Sequence, residues 1–133
     1  HPTGRVAHAV SHDGGVTWGE VDYSDQLTEI FSQPNAIAVT GASDIAGAAE
    51  PSSRSIVFAN ASQMLPFRGC GVMRLSHDDG VTWPHNRVIN PRHYVYQCMT
   101  ILPDGTLGLL WEREMQGLYF TRIPLEWIEA AKQ

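Results

Sequence analysis

Short runs of alternating apolar and polar residues recur along the chain, separated by turns rich in glycine, proline and aspartate. This pattern predicts many short β-strands, each burying one face, because successive side chains of a strand point to opposite sides. We predict strands at residues 5–10, 36–40, 55–60, 71–75, 95–102, 106–112 and 117–123. The Asp104-Gly105 pair predicts a tight turn between two of them. The chain is therefore predicted to be all-β.

Two segments depart from this pattern. Residues 124–132 begin with a proline, place Leu125 and Ile128 on one side and end with a basic residue, which predicts a short helix. Residues 40–54 are rich in glycine, alanine and serine and predict a long loop. Loops of this length often form a functional rim.

One eight-residue motif occurs twice, at residues 11–18 and 76–83, and the copies differ at one position. Each copy follows a predicted strand and precedes another extended stretch, so each is interpreted as a hairpin connection. Its aspartate can accept hydrogen bonds from the turn backbone, its glycine supplies a positive φ and its tryptophan packs on the hairpin. The residues expected to build these structural corners are Ser11, Asp13, Gly15, Trp18, Ser76, Asp78, Gly80 and Trp83.

The spacing of the two copies indicates the architecture. They begin about 65 residues apart, which leaves room for about four short strands and their connections in each repeat. Four antiparallel strands form one blade of a β-propeller, so the spacing favours a propeller.

Composition narrows the possible partners. The 133 residues are 43% hydrophobic and 17% charged, which is typical of a globular protein. The net charge of −5, with scattered basic residues, argues against binding to nucleic acid or anionic membranes. No apolar run approaches the roughly 20 residues of a membrane span, and no leader-like segment opens the chain. The start at His1, without methionine, is interpreted as an internal point of a longer protein or a processed end.

Candidate metal and redox chemistry is sparse. The two cysteines, Cys70 and Cys98, have neither metal-site spacing nor the density of a disulfide scaffold, so we expect buried thiols. His8 and His12 lie in a strand and a turn, where a four-residue interval does not align two ligands. No metal site and no cofactor are predicted.

The eight-residue motif is the Asp box, and nearly the whole chain resembles bacterial-type exo-α-sialidases (neuraminidases). Asp boxes also occur in other propellers, so the more specific feature is a tyrosine, Tyr96, ahead of a Leu-Pro-Asp-Gly hairpin that closes on Leu-Leu-Trp-Glu112. Known sialidases are six-bladed propellers. The resemblance implies that residues 1–133 form the C-terminal part of that domain, roughly its last two to three blades plus the short helix, and that the N-terminal part is their partner.

The resemblance also assigns roles to single residues. Sialic acid carries a carboxylate on its anomeric carbon, which disfavours a carboxylate nucleophile, and sialidases use a tyrosine instead. Tyr96 matches that nucleophile, whereas Tyr94 is expected at the rim. A free phenol has a pKa of about 10 and is therefore protonated at neutral pH. Tyr96 thus needs a base, which the family supplies from a glutamate upstream.

A three-arginine clamp holds the substrate carboxylate in the family, because guanidinium makes paired hydrogen bonds. Arg68 matches the third of these arginines, and Glu112 resembles the glutamate that supports the first. Arg5 matches a less critical arginine at the start of a strand. Arg74 is expected to be solvated or paired. Each of these residues could also be an ordinary packing or surface residue.

Two functional hypotheses follow. The first is a retaining exo-α-sialidase that hydrolyses terminal sialic acids of glycoconjugates, with this chain supplying part of the active site. The alternative is a non-catalytic Asp-box propeller that binds glycans or proteins. The resemblance also allows a trans-sialidase, and it favours a secreted or cell-surface location.

Overall fold

The computed structural model describes residues 3–39 and 54–130, which form nine strands and one short helix. In chain order these are β1 (Arg5–His8), β2 (Asp22–Thr28), β3 (Asn35–Val39), β4 (Ser55–Gln63), β5 (Gly69–Ser76), β6 (His85–His93), β7 (Gln97–Ile101), β8 (Leu107–Arg113), β9 (Gly117–Ile123) and α1 (Leu125–Glu129).

The strands form three antiparallel sheets, with the orders β1-β2, β3-β4-β5-β6 and β7-β8-β9. The prediction of an all-β chain is therefore confirmed, and every predicted strand is present with its bounds moved by a few residues. The strands β2 and β6 are the extended stretches expected after the two Asp boxes. The predicted turn at Asp104-Gly105 joins β7 to β8, and Gly105 has a φ of 83° there.

The repeat relates these sheets to one another. The β1-β2 hairpin carries the first Asp box as the β5-β6 hairpin carries the second, so the first sheet corresponds to the outer half of the second. The four-stranded sheet is a complete propeller blade, and the third sheet supplies three strands of the next. The fold is thus a portion of a β-propeller, as the spacing of the Asp boxes predicted.

Apolar side chains fill the spaces between the sheets. Alternating residues of β4 and β5, among them Val57 and Met73, face Leu107 and Leu109 of β8 and Ile128 of α1 in the larger core. The opposite face of the second sheet, with Phe58, packs on Leu27 of β2 and on Trp83. The four-stranded blade is therefore packed on both faces, with one neighbouring sheet on each side.

The two inner strands, β3 and β7, are tied together by polar side chains. The buried amide of Gln97 donates to the Ala59 carbonyl at 3.2 Å and to the Gln33 carbonyl. The Met99 N–H donates to the Asn35 side-chain oxygen at 3.0 Å. These bonds satisfy polar groups at the inner edges of the two sheets and fix the register of one blade against the next.

Because neighbouring strands run antiparallel, the strands of each sheet begin and end at two opposite sides of the sheet. The starts of β3, β5 and β7 and the ends of β4, β6 and β8 lie together, and we call this the strand-start edge. The Asp-box turns, which follow β1 and β5, lie at the opposite edge.

The predicted helix is present as Leu125–Glu129, with Ile128 fully buried, and Lys132 lies outside the described residues. In the described part of the chain, no helix has the length and apolar character needed to cross a membrane. The predicted loop at residues 40–54 lies outside the described residues except for Arg54. Its described flanks, Val39 and Arg54, are at the Asp-box edge, where the Arg54 carbonyl accepts from the Asp79 N–H at 3.2 Å.

Candidate active site

Both Asp boxes are closed by the same hydrogen bonds. In the first copy the Asp13 carboxylate accepts from the Thr17 N–H at 2.9 Å, from the Thr17 hydroxyl at 2.6 Å and from the Ser11 hydroxyl at 2.8 Å. The Ser11 oxygen in turn accepts from the Gly15 N–H at 2.8 Å. These bonds favour the charged carboxylate and lower the pKa of Asp13 from 3.8 to about 2, with the Thr17 hydroxyl as the largest cause.

The second copy repeats this arrangement. The Asp78 carboxylate accepts from the Thr82 N–H at 2.8 Å, from the Thr82 hydroxyl at 2.6 Å and from the Ser76 hydroxyl at 2.7 Å, and Gly80 donates to Ser76 at 2.9 Å. The pKa of Asp78 is also lowered to about 2, chiefly by the Thr82 hydroxyl. Both aspartates are thus engaged in turns at the edge opposite the candidate site.

The candidate site is a group of side chains at the strand-start edge, centred on Tyr96 and Arg68. Arg68 directly precedes β5, and Tyr96 directly precedes β7 of the neighbouring sheet. The Arg68 Nη1 atom donates to the Tyr96 hydroxyl at 3.4 Å, and its Cζ atom lies 5.5 Å from the centre of the Tyr96 ring. Tyr96 is 38% exposed, and its hydroxyl lies beside the positive charge of Arg68.

Backbone pairing holds Tyr96 in place. The Glu112 N–H donates to the Tyr96 carbonyl at 2.8 Å, and the Val95 N–H donates to the Glu112 carbonyl at 3.1 Å. These two bonds continue the β7-β8 ladder past the start of β7. The tyrosine therefore projects from a paired backbone segment, which fixes the position from which its side chain extends.

Glu114, which follows the end of β8, completes the group and was not identified from the sequence. Its Oε1 atom accepts from the Arg68 Nη2 atom at 2.9 Å, and its Oε2 atom lies 3.7 Å from Nδ1 of His93. His93 ends β6 and stacks on Phe67 at 4.2 Å between ring centres. The signal that could have identified Glu114 was topological, because the end of a strand lies beside the starts of its antiparallel neighbours.

Hydrogen bonding dominates the electrostatics of this group. Bonds to Tyr96 and then to Glu114 raise the pKa of Arg68 above its ordinary value. The bond from Arg68 lowers the pKa of the Glu114 carboxyl. Both groups are therefore charged at neutral pH, and the site presents a guanidinium paired on one side with a carboxylate.

Glu112 enters the site through its backbone. Within the described residues, no hydrogen bond or ion pair joins its carboxylate to another side chain. The arginine that contacts a glutamate here is Arg68, and its partner is Glu114. The expected support of the family's first arginine by Glu112 stays a prediction.

The other two arginines considered from the sequence, Arg5 and Arg74, lie elsewhere. Arg5 forms an ion pair with Asp25 across the β1-β2 hairpin. Arg74, in the middle of β5, donates to the side-chain oxygen of the buried Asn60 at 3.1 Å, and burial lowers the pKa of Arg74. Asn60 donates in turn to the Thr28 carbonyl at 2.6 Å. Arg74 is thus paired, which is one of the two environments expected for it from the sequence.

The expectation that Tyr94 lies at the rim is wrong. Tyr94 is completely buried, its ring stacks on Trp111 at 5.2 Å, and burial raises the pKa of its hydroxyl. Gly71 of β5 lies so close to the ring that no side chain fits between them. Tyr94 and Tyr96 therefore have separate environments, one in the core and one at the accessible edge.

The expectation of buried thiols is also wrong. Cys98 is exposed on β7, and Cys70 is only partly buried at the start of β5. The two are free thiols. Strand alternation explains why Cys98 is exposed, because its side chain points away from the blade core that Gln97 and Met99 enter.

Comparison with known proteins places this geometry in a wider context. No model of a protein family matches the chain. Over 120 residues it is 35% identical to a sialidase of Micromonospora viridifaciens, covering 90% of this chain and 18% of that protein. Over 127 residues it is 25% identical to a sialidase of Bacteroides fragilis, covering 92% of this chain and 22% of that protein. The chain thus spans about a fifth of the length of these curated relatives.

Solved structures give the same fold. The NanB sialidase of Streptococcus pneumoniae superposes with a TM-score of 0.72 at 20% identity, over 93% of this chain and 20% of that one. The intramolecular trans-sialidase of Ruminococcus gnavus, solved with oseltamivir carboxylate, superposes with a TM-score of 0.72 at 21% identity, over 96% and 29%.

The sheets, the Asp boxes and these superpositions define the chain as a portion of a sialidase-type β-propeller. More particularly, the chain is similar in sequence to one segment of each of these bacterial sialidases.

Proposed function

We propose that residues 1–133 form the C-terminal part of a propeller domain and supply one wall of the active site of a retaining exo-α-sialidase. The substrate would be a terminal sialic acid of a glycoconjugate. The observation that carries the proposal is that the exposed residue Tyr96 has its hydroxyl beside the Arg68 guanidinium, at an edge where strands of two blades converge. The homologous proteins named as sialidases support the same assignment.

In this proposal Tyr96 is the nucleophile. Its oxygen attacks the anomeric carbon while its proton passes to a base from the remaining blades. The bond to the leaving glycan breaks, and a general acid from those blades protonates the leaving oxygen. Water then cleaves the bond between the Tyr96 oxygen and the anomeric carbon, which restores the tyrosine and releases sialic acid with retained configuration. A neutral phenol suits this step, because it approaches a carbon that bears a carboxylate without charge repulsion.

Arg68 has two tasks in the proposed reaction. Its guanidinium binds the substrate carboxylate through charge-assisted hydrogen bonds, and its Nη1 atom faces the Tyr96 oxygen, where negative charge develops as the proton leaves. The remaining blades would contribute the other two arginines, the general acid and the base. We propose that Glu112 supports one of those arginines.

The proposal is tested by substitutions in the complete propeller, in which this chain is joined to its remaining blades. Tyr96→Phe should keep folding and substrate binding but lower the turnover of a fluorogenic sialoside by about 10³-fold or more, because the attacking oxygen is lost. Tyr119→Phe is the matched control, since Tyr119 is 39% exposed and stacks on Trp111 instead of facing Arg68. Normal turnover in a folded Tyr96→Phe variant would remove Tyr96 from the mechanism.

The role of Arg68 is tested by lysine. Arg68→Lys keeps the charge but loses the planar fork, so a free sialic-acid analogue should inhibit about tenfold more weakly or worse. Unchanged inhibition would make Arg68 a surface residue. A propeller that binds sialosides without cleaving them, even with Tyr96 and Arg68 intact, would instead be the non-catalytic binding protein.

A further inference from the structure

We infer that Glu114 is a positioning residue for Arg68. This inference rests on the proposed function of Arg68, and no motif in the sequence points to it. Glu114 lies just past the end of β8, and it reaches across the interface between two blades to a residue that precedes β5. It therefore couples the placement of the guanidinium to the blade that also carries Tyr96.

The contacts fix Arg68 at both ends of its guanidinium. Nη2 donates to Glu114 at 2.9 Å, and Nη1 donates to the Tyr96 hydroxyl at 3.4 Å. A long arginine side chain would otherwise sample many rotamers at an accessible edge. With one terminal nitrogen held by Glu114, the other terminal nitrogen stays beside Tyr96.

Glu114 also lies near a residue of the four-stranded sheet. Its second oxygen is 3.7 Å from Nδ1 of His93, a contact that is an ion pair only when His93 is protonated, and His93 stacks on Phe67. The carboxylate of Glu114 and the guanidinium of Arg68 are both about 30% exposed at the side chain, so neither is free to swing into solvent as an isolated surface group would. The pair therefore acts as a fixed mount for the arginine.

A carboxylate next to a substrate-binding arginine has two opposing effects. It orients the guanidinium, which favours binding of an anionic group, and it neutralises part of the positive charge, which disfavours it. Glutamine separates these effects, because its carbonyl oxygen can still accept from Nη2 while its charge is gone. Alanine removes both.

The inference is tested by the steady-state kinetics of sialoside hydrolysis, measured with the complete propeller. Glu114→Ala should raise KM about tenfold or more, because the substrate carboxylate is bound more weakly, and it should also lower kcat, because Nη1 of Arg68 no longer stays beside the Tyr96 oxygen. Glu114→Gln should stay within about threefold of the parent KM, because it keeps the acceptor for Arg68. Glu126→Gln, on the exposed face of α1, is the control.

A second readout does not depend on activity. Rotation of the Arg68 guanidinium, followed by ¹⁵N NMR and assigned through Arg68→Lys, should be slow in the parent and in Glu114→Gln and fast in Glu114→Ala. An inactive parent with this same NMR pattern would refute the sialidase proposal and leave the positioning role intact. An active parent whose Glu114→Ala variant keeps the parent KM and slow rotation would overturn the positioning role, as would a Glu114→Gln variant as impaired as alanine.

Discussion

Replacing Gly71 with alanine would place a methyl group inside the volume of the Tyr94 ring. A Cβ atom at Gly71 would lie 2.3 Å from Cδ2, 2.4 Å from Cγ and 2.7 Å from Cε2 of Tyr94. Ordinary carbon contacts are about 3.5–4.0 Å, so the ring or the strand would have to move by more than about 1 Å.

Neither side can move easily. The Tyr94 ring is stacked on Trp111, which is stacked on Tyr119 at 4.8 Å between ring centres. Gly71 is paired on both sides, with Ala61 of β4 and with Asn90 of β6. Overpacking of a core costs about 1–3 kcal/mol, and two rigid neighbours place Gly71→Ala at about 2–3 kcal/mol.

Urea denaturation followed by tryptophan fluorescence measures this cost. With a denaturant slope of about 2 kcal/mol/M, the midpoint should fall by about 1–1.5 M. Tyr94→Leu should partly rescue Gly71→Ala, because leucine lacks the planar ring and can change rotamer, which gives a favourable coupling of about 1 kcal/mol or more. A Gly71→Ala variant with the parent midpoint would show that the ring moves aside, and it would refute the packing argument.

Two further predictions concern stability. Because the folded pKa of Asp13 and of Asp78 is about 2, below the ordinary 3.8, their stabilisation is present above about pH 4 and is lost as pH falls toward about 2. In thermal melts from pH 6 to pH 2, Asp78→Asn should therefore be destabilised at pH 6 and should converge with the parent at pH 2; parallel curves would exclude this linkage. Tyr94→Phe should melt at or slightly above the parent temperature, since the buried Tyr94 hydroxyl has no hydrogen-bond partner among the described residues and the stacked ring is kept. A loss of more than about 1 kcal/mol in that variant would reveal a partner for the hydroxyl.

Local features of the fold could be predicted from the sequence because they depend on neighbours along the chain. Alternation predicted the strands, Asp104-Gly105 predicted the turn before β8, and the repeated motif predicted both hairpins. The one position at which the two Asp boxes differ is occupied by Gly14 and Asp79, and both have positive φ, at 72° and 58°. Glycine adopts this conformation freely and aspartate tolerates it, so both copies form the same turn.

The environment of a side chain could not be predicted in this way, because it depends on residues far along the chain. Two nearly identical motifs place Trp83 in a core at 8% exposure and leave Trp18 at 65%. The difference is the adjacent sheet, since Gln26 of β2 accepts from the Trp83 N–H at 3.0 Å and Phe58 meets the Trp83 ring edge-on at 5.8 Å. The described residues provide no such sheet next to Trp18.

The candidate site divides along the same line. The sequence by itself predicted that Arg68 precedes a strand and that Tyr96 lies near the start of another, because the predicted strands begin at residues 71 and 95. Only the tertiary structure decided that these two strand starts meet, that Tyr94 is buried while Tyr96 is accessible, and that Glu114 holds the guanidinium of Arg68. The physical reason is that pairing within a hairpin is local, whereas the packing of one blade on the next joins residues such as Arg68 and Glu114 that are 46 positions apart.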